Sequence, residues 1–344
     1  MSLIVYNGGL LKVNGKLATS QSCCCGGGGG TYASVWKIDP SDGTILETYD
    51  TGDDTYGIAF DSNGDVFIVG YRANNYSMWK IDVSESTIGG FYDSGGNLLD
   101  IGLDSNDYIN FCGEVISTKG VWSITSAKAA RWDYAPDSGI FFERLQIDSA
   151  NDDVYVCGDT ADPTASDNFV RFQADGTFEW GADEGGFDIH DFFIGGTYAV
   201  YCRGIDPFYS ILYKNKSDGT LGYTPADHTS INTMAITFDG TNIFSMSNTN
   251  SGGSSYIWKC STAGTYIAKS DGYTLGWRNS EMDIDMDTSG NAYGVGGHNN
   301  TGNYSVFAVD NDCDILWTAN TGLDTHRVLV VGGYLWVTGQ RVAL

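Results

Sequence analysis

The stretch Tyr56–Gly70, YGIAFDSNGDVFIVG, places two short apolar runs on either side of an Asp-Ser-Asn-Gly-Asp turn. The Asn63-Gly64 pair supplies the positive backbone φ that a tight hairpin needs, so the stretch predicts two antiparallel strands. The apolar part of the first strand recurs along the chain at successive distances of 43, 44, 47, 44, 48 and 45 residues. Its seven copies are Ile58–Asp61, Ile101–Asp104, Leu145–Asp148, Phe192–Gly195, Ile236–Asp239, Ile284–Asp287 and Leu329–Gly332.

A repeat of about 45 residues with several short strands is typical of a β-propeller. The hairpin is followed by a third strand, as at Ser77–Asp82, and by a fourth near residues 90–92. We therefore predict an all-β, seven-bladed β-propeller of four-stranded antiparallel blades. The last unit ends at Leu344 after its second strand, whereas Ser34–Asp39 and Thr44–Thr48 read as a third and a fourth strand. Both termini are thus predicted to close the last blade, which leaves the ring no free edge.

The repeats assign residues 31–344 to the propeller and leave residues 1–30 as an N-terminal arm. In the arm, Asn14-Gly15 lies between short apolar runs and predicts a hairpin, and the run Gly26–Gly30 is typical of a flexible tether. An isolated hairpin is marginal in water, so we expect the arm to pack on the propeller or to dock on another protein. The cysteines before the tether are either packed, reduced thiols or candidates for disulfide or metal chemistry. The predicted docking residues are Leu10, Leu11, Val13, Cys23, Cys24 and Cys25.

The composition is acidic, with 43 Asp and Glu against 18 Lys and Arg and a formal net charge of −25. Such a charge argues against a nucleic-acid partner, since phosphate backbones are bound by basic surfaces. No run approaches the length of a transmembrane helix, so membrane insertion is not predicted. The first residues lack the basic and apolar regions of a secretory signal. We therefore expect a virion or an extracellular surface reached without that signal, with the cytoplasm as the alternative.

The hairpin Tyr56–Gly70 resembles the repeat of bacterial seven-bladed β-propeller proteins. The outer halves of the units are similar to the quinoprotein-type repeat, in which Asp, a small turn and Trp follow one another, as in Phe172–Trp180 and Val309–Trp317. The arm is loosely similar to those of some phage virion proteins. These resemblances imply a propeller fold and a place in a larger assembly, and they imply little about activity.

Five cysteines lie within the repeats. Cys112, Cys157 and Cys202 occupy one second-strand position that holds Val69 or Met246 in other units. A position that accepts Val, Met or Cys is an apolar packing site, so we predict buried, inert thiols there. The same interpretation covers Cys260, whereas Cys313 falls in a turn and is predicted to be exposed.

In propellers, ligands usually lie around the central channel where the inner strands begin. Asp100, Asp191 and Asp283 stand at that position in three units and Arg144 in a fourth, which would suit a cation or a sugar. The alternative is that these carboxylates simply line a solvated channel. No metal site is predicted, because the histidines come from different units and would need to converge. The candidate residues of this channel mouth are Asp100, Glu143, Arg144, His190, Asp191, Asp283, His326 and Arg327.

We find no catalytic constellation in the sequence and expect no cofactor. The leading hypothesis is a non-enzymatic binding or structural module, displayed or docked in a larger assembly such as a phage virion or tail. Its partners would be proteins, with a glycan as a further ligand class. One alternative is an enzyme, either a quinone-dependent dehydrogenase or a carbohydrate-active propeller. Another is an intracellular protein-interaction scaffold.

Overall fold

The structure is a computed structural model that describes residues 32–115, 118–136, 140–160, 168–182, 188–205, 208–223, 232–248, 255–262, 265–270, 282–297 and 305–344. Within these residues the chain forms seven antiparallel sheets of four strands each. The seven-bladed propeller is therefore confirmed. The docking residues predicted at 10–13 and 23–25 lie outside the described residues. The described part contains no helix, and hence none suited to crossing a membrane.

The strands run in chain order from the channel to the rim of each blade, and they are numbered along the chain. Blade 7 takes its outer strands from the start of the described chain, β1 (Tyr32–Ile38) and β2 (Ile45–Tyr49). Blade 1 comprises β3 (Thr55–Phe60), β4 (Val66–Ala73), β5 (Tyr76–Asp82) and β6 (Thr87–Tyr92). Blade 2 comprises β7 (Leu98–Leu103), β8 (Ile109–Val115), β9 (Thr118–Ile124) and β10 (Ala130–Tyr134). Blade 3 comprises β11 (Ile140–Asp148), β12 (Asp153–Thr160), β13 (Phe169–Phe172) and β14 (Phe178–Ala182).

Blades 4 to 6 repeat this order, and the end of the chain completes blade 7. Blade 4 comprises β15 (Asp188–Gly195), β16 (Tyr198–Ile205), β17 (Phe208–Asn215) and β18 (Leu221–Tyr223). Blade 5 comprises β19 (Asn232–Phe238), β20 (Asn242–Asn248), β21 (Ser255–Ser261) and β22 (Tyr266–Lys269). Blade 6 comprises β23 (Asp283–Met286), β24 (Ala292–Val295), β25 (Val306–Val309) and β26 (Ile315–Ala319). The inner strands of blade 7 are β27 (Thr325–Val331) and β28 (Tyr334–Ala343).

The ring closes in blade 7, where β1 pairs antiparallel with β28. Thr55 at the start of blade 1 reinforces this closure. Its hydroxyl donates to the Ser34 carbonyl at 2.6 Å and accepts from the Gly339 amide at 3.1 Å. The prediction that both termini build the last blade is therefore confirmed.

Within the described residues, the core consists of seven buried clusters, and each draws its side chains from two adjacent blades. Between blades 3 and 4, for example, Phe169 packs edge-on against Phe192 with ring centroids 5.2 Å apart. Because every blade needs its neighbour to bury its apolar face, no single blade would be stable alone.

The outer strands add polar links between blades. The indole of Trp317 in blade 6 donates to the Pro40 carbonyl of blade 7 at 2.8 Å, and Trp180 in blade 3 donates to the Lys216 carbonyl of blade 4 at 3.0 Å. The Asp–turn–Trp pattern of the outer repeats therefore has a structural purpose, because the Trp of one blade docks on the turn of the next.

Candidate functional site at the channel axis

Six inner strands carry a β-bulge near their start, which re-aims the side chain that follows it. In blades 2, 3 and 4 the residues after the bulge are Asp100, Arg144 and Asp191. In blade 7 it is Arg327, which pairs with Thr338. The sequence predicted these positions just before the inner strands, whereas the structure places them inside the strands.

The three aspartates bond the inner strands of neighbouring blades. Asp100 accepts a hydrogen bond from the Leu145 amide at 2.7 Å. Asp191 and Asp283 do the same with the next blades, accepting from the amides of Ile236 and Val328 at 2.9 Å each. Each of the three bonds spans 45 residues, which is one repeat. Carboxylates at alternate blades therefore hold blade 2 to 3, blade 4 to 5 and blade 6 to 7.

Arg327 joins two of these carboxylates across the axis. Its guanidinium forms an ion pair with Asp100 of blade 2 and donates to Asp283 of blade 6 at 3.3 Å. Burial disfavours the charged guanidinium, but the carboxylates of Asp100 and Asp283 outweigh that effect and raise the pKa of Arg327. Arg327 therefore remains a buried cation.

Arg144 reaches across the channel from blade 3. Its Nε donates to the His190 carbonyl of blade 4 and its Nη2 to the Met282 carbonyl of blade 6, both at 2.9 Å. Together with Arg327 and the three aspartates it forms a charged layer that joins blades 2, 3, 4, 6 and 7. We call this layer the arginine–aspartate plug; its members are Asp100, Arg144, Asp191, Asp283 and Arg327.

The plug differs from a channel mouth lined by hydrated carboxylates. Its five side chains are all buried, with Asp191 only 4% exposed. Asp100, Asp191 and Asp283 therefore hold neighbouring blades together in addition to lining the axis. In blades 2 and 4 the bulge turns the carboxylate toward the next inner strand, where an unpaired backbone amide would otherwise be left.

Burial also perturbs the titration of the carboxylic acids at the axis. Burial, with a contribution from the negative charge of Asp283, raises the pKa of Asp191 to about 7. Burial raises the pKa of Asp285, two residues farther along β23, to about 7 as well. It also raises the pKa of Asp283, although the nearby arginines oppose the shift. Near neutral pH the axis therefore holds carboxyl groups poised between their two charge states.

The two candidate histidines lie at bulge positions outside the plug. Burial and the charge of Arg144 lower the pKa of His190 to about 4, and its buried Nδ1 has no hydrogen-bond partner among the described residues. His326 donates from Nδ1 to the Thr55 carbonyl at 2.7 Å and stacks on Tyr56 at 4.5 Å between ring centroids. Glu143 is half-buried at the equivalent bulge of blade 3. The described residues contain no group of three or more His, Cys, Asp or Glu side chains placed to hold a metal.

A cavity of about 370 Å³ lies along the axis. The plug residues line one part of it, and side chains farther along the inner strands line the rest. Gln146, Thr237 and Asp285 form a second polar layer two residues beyond the plug positions. The sequence analysis did not single out Gln146 and Thr237, although the two-residue period of a strand places them on the same strand face as the plug.

The cysteines largely follow the sequence prediction. Cys112, Cys157 and Cys202 are fully buried in the inter-blade clusters, and burial raises the pKa of each thiol. Cys260 is buried too, as expected. The prediction of an exposed Cys313 is wrong, since this residue is 1% exposed. Its backbone adopts a φ of 65° within the turn, and the side chain packs in the core between blades 5 and 6.

Comparison with known proteins agrees with the fold. No protein-family profile and no curated protein sequence matches this chain. Among solved structures, Kuenenia stuttgartiensis hydrazine synthase is similar at 12% identity and a TM-score of 0.65, over 86% of this chain and 99% of that one. The Neurospora crassa Pan2 WD40 domain is similar at 10% identity and 0.57, over 85% and 91%. The Dos1 propeller is similar at 9% identity and 0.54, over 84% and 93%. Identities this low show the β-propeller fold alone.

Proposed function

We propose that this protein is a non-enzymatic β-propeller module that binds other proteins as a displayed or docked subunit of a larger assembly, such as a phage virion or tail. The arginine–aspartate plug carries the proposal. Its charged groups lie where propellers usually bind ligands, and they bond blade to blade. A ring cross-linked at its axis is suited to presenting its outer surfaces.

Exposed tyrosines near the closure of the ring support a protein partner. Tyr32, Tyr71 and Tyr76 are 37–39% exposed, and they lie where strands of blades 7 and 1 begin or end. Tyr71 leans on Tyr56 with ring centroids 5.0 Å apart, and Arg341 lies over the Tyr32 ring at 4.0 Å. Tyr and Arg side chains are enriched at protein interfaces, where they supply large contact areas at a small loss of conformational freedom.

Three features of the proposed function rest on the sequence alone. They are the likeness to bacterial seven-bladed repeat proteins, the docking role of residues 1–30, and a virion or extracellular location with the cytoplasm as the alternative.

A direct test compares the full chain with a variant lacking residues 1–30, each co-expressed with the products of its neighbouring genes. We expect the full chain to co-sediment with them and the shortened chain to sediment as a folded monomer. Equal co-sedimentation would remove the docking role from the arm.

One observation favours an enzyme as the second candidate. Asp191 and Asp285 have pKa values raised by burial to about 7, which suits general acid–base chemistry. A carbohydrate-active propeller would need two such carboxyl groups. Incubation with a glycan panel, and separately with a quinone plus calcium and alcohol substrates, tests this candidate. Turnover that is lost in Asp191→Asn would replace the binding-module proposal.

A further inference from the structure

The layer of the axial cavity that lies two residues beyond the plug positions has two chemically different halves. In blades 3 to 6 it presents the polar side chains of Gln146, Thr237 and Asp285, with the apolar Phe193 among them. In blades 7, 1 and 2 it presents Leu329, Ala59 and Gly102. Repeats of identical sequence would present the same side chain all round this layer. The asymmetry therefore indicates an occupant that is polar at one end and apolar at the other.

The polar half offers acceptors that the fold does not use. Asp191 binds the Ile236 amide through Oδ2, and within the described residues its Oδ1 makes no hydrogen bond. Gln146 donates from Nε2 to the Phe192 carbonyl at 2.5 Å, and its Oε1 is left without a bond in the described part of the chain. The Thr237 hydroxyl also makes no hydrogen bond within the described residues. A carboxylate oxygen that lines a cavity and makes no hydrogen bond to the protein can accept one from an occupant.

The cavity also has an excess of negatively charged side chains. Among the described residues, four carboxyl groups line the cavity, at Asp100, Asp191, Asp283 and Asp285, against two guanidinium groups at Arg144 and Arg327. Arg327 pairs with Asp100 and Asp283, and no described cation pairs with Asp191 or Asp285. The two carboxyl groups without a direct ion pair thus lie on the acceptor-rich side, although Arg144 and Arg327 attract the charge of Asp191 at longer range.

We propose that the axial cavity binds a small organic ammonium ion, with its NH₃⁺ group donating to Asp191 and the Gln146–Thr237–Asp285 layer and its apolar body against Ile58, Ala59 and Leu329. An ammonium group has three donors and no acceptor, which matches this set of oxygens. A metal ion fits less well, because the described residues provide no group of three ligands. A bound cation would also favour ionised Asp191, whose pKa burial otherwise raises to about 7. The inference goes beyond the proposed function and does not depend on it.

Isothermal titration calorimetry of the full chain at pH 8 with n-butylammonium tests the proposal. Butan-1-ol and butyrate serve as neutral and anionic probes of similar size. We expect n-butylammonium to bind at least about tenfold more tightly than either, since a charge-assisted hydrogen bond to a buried carboxylate contributes on that scale. Affinity should fall about fourfold for each methylene removed on going to methylammonium, because each buried methylene contributes a similar increment.

Two variants locate the site. Asp191→Asn keeps an oxygen for the Ile236 amide but removes the negative charge, so we expect n-butylammonium affinity to fall at least about tenfold in a folded protein. Asp93→Asn, at a carboxylate that pairs with the exposed Arg72, should leave it unchanged. Equal binding of butan-1-ol, equal affinity in Asp191→Asn, or no binding of n-butylammonium to the wild type would each overturn the proposal. If methylammonium binds as tightly as n-butylammonium, the apolar half has no role and the proposal fails in that form.

Discussion

Arg144 Nη2 donates a hydrogen bond to the Met282 carbonyl at 2.9 Å, although 138 residues separate them along the chain. The bond joins blade 3 to blade 6 across the axis, whereas most other side-chain bonds between blades join immediate neighbours. A propeller is usually held together around its circumference. Here the plug adds a transverse link, so the stability of distant blades should be coupled.

The first prediction concerns Arg327. Replacing it in Arg327→Met leaves Asp100 and Asp283 buried without their cation, so we expect the free energy of unfolding to fall by about 3–5 kcal/mol. The measurement is urea-induced unfolding followed by tryptophan fluorescence. Arg72→Met is the matched control, because its ion pair with Asp93 is exposed and should matter little. Equal effects of the two substitutions would contradict the role of the plug.

Ring closure gives a second prediction. Thr55→Val removes a hydroxyl that serves the Ser34 carbonyl and the Gly339 amide, and it leaves both buried groups short of a partner. We expect a loss of about 1–3 kcal/mol in the free energy of unfolding. Thr87→Val changes an exposed threonine in β6 and should be nearly neutral. Comparable unfolding midpoints for the two variants would show that Thr55 does not secure the closure.

The third prediction tests the docking of Trp317 on the turn of the next blade. It compares two glycines with similar backbone angles. Gly43 has φ +74°, and an added Cβ would lie 2.6 Å from the Trp317 ring, whereas Gly64 has φ +85° and open space around it. Alanine at either position carries the strain of a left-handed backbone, about 1–2 kcal/mol. We expect Gly43→Ala to lower the thermal midpoint clearly more than Gly64→Ala. Equal shifts would mean that Trp317 moves aside at no cost.

Structural features that depend on residues close together in the sequence could be predicted, whereas features that depend on contacts between distant blades could not. The hairpin at Asn63-Gly64, the strand order and the closing blade follow from local patterns that repeat seven times. The packing of Cys112, Cys157 and Cys202 followed from alignment of the repeats. The transverse bond of Arg144 could not be predicted, because it depends on a side chain that spans blades unrelated by the repeat.

Local geometry accounts for the remaining differences. The bulges shift which inner-strand residue faces the next blade, and no residue type in the sequence marks them reliably. The sequence predicted the turn that contains Cys313, but it did not predict that the Cys313 side chain points into the core. The turn rotates the thiol inward, between blades 5 and 6.

Thiol reactivity gives the fourth prediction. In a variant with Cys23, Cys24 and Cys25 changed to Ser, five cysteines remain, and all five are buried. Burial raises the pKa of both Cys260 and Cys313 to about 11, so neither forms an appreciable amount of thiolate at pH 8. We expect no rapid labelling by Ellman's reagent in buffer and five equivalents in guanidinium chloride. One rapidly labelled thiol in the folded protein would place Cys313 at the surface after all.

The last prediction is a pH dependence with a defined sign. The pKa of Asp191 and of Asp285 is raised from 3.8 to about 7 by burial, so the folded protein keeps protons that the unfolded chain releases between pH 4 and 7. Each group therefore contributes stability at low pH that is lost as the pH rises through 7, by at most about 1.4 kcal/mol per pH unit. His190 acts in the opposite sense. Its pKa is lowered to about 4, so its contribution is lost as the pH falls from 6.5 toward 4.

The effect of the two aspartates can be separated from that of His190 in a double variant, Asp191→Asn with Asp285→Asn. The amides mimic the protonated acids and cannot titrate. We expect its free energy of unfolding to rise with pH between 5 and 7 relative to that of the wild type, measured by urea titration at each pH. Asp93→Asn is the control, since Arg72 lowers the pKa of Asp93 and keeps its titration below this range. Parallel curves for the wild type and the double variant would show that both carboxyl groups are already ionised at pH 5. In that case the axis would carry their full negative charge throughout the physiological range.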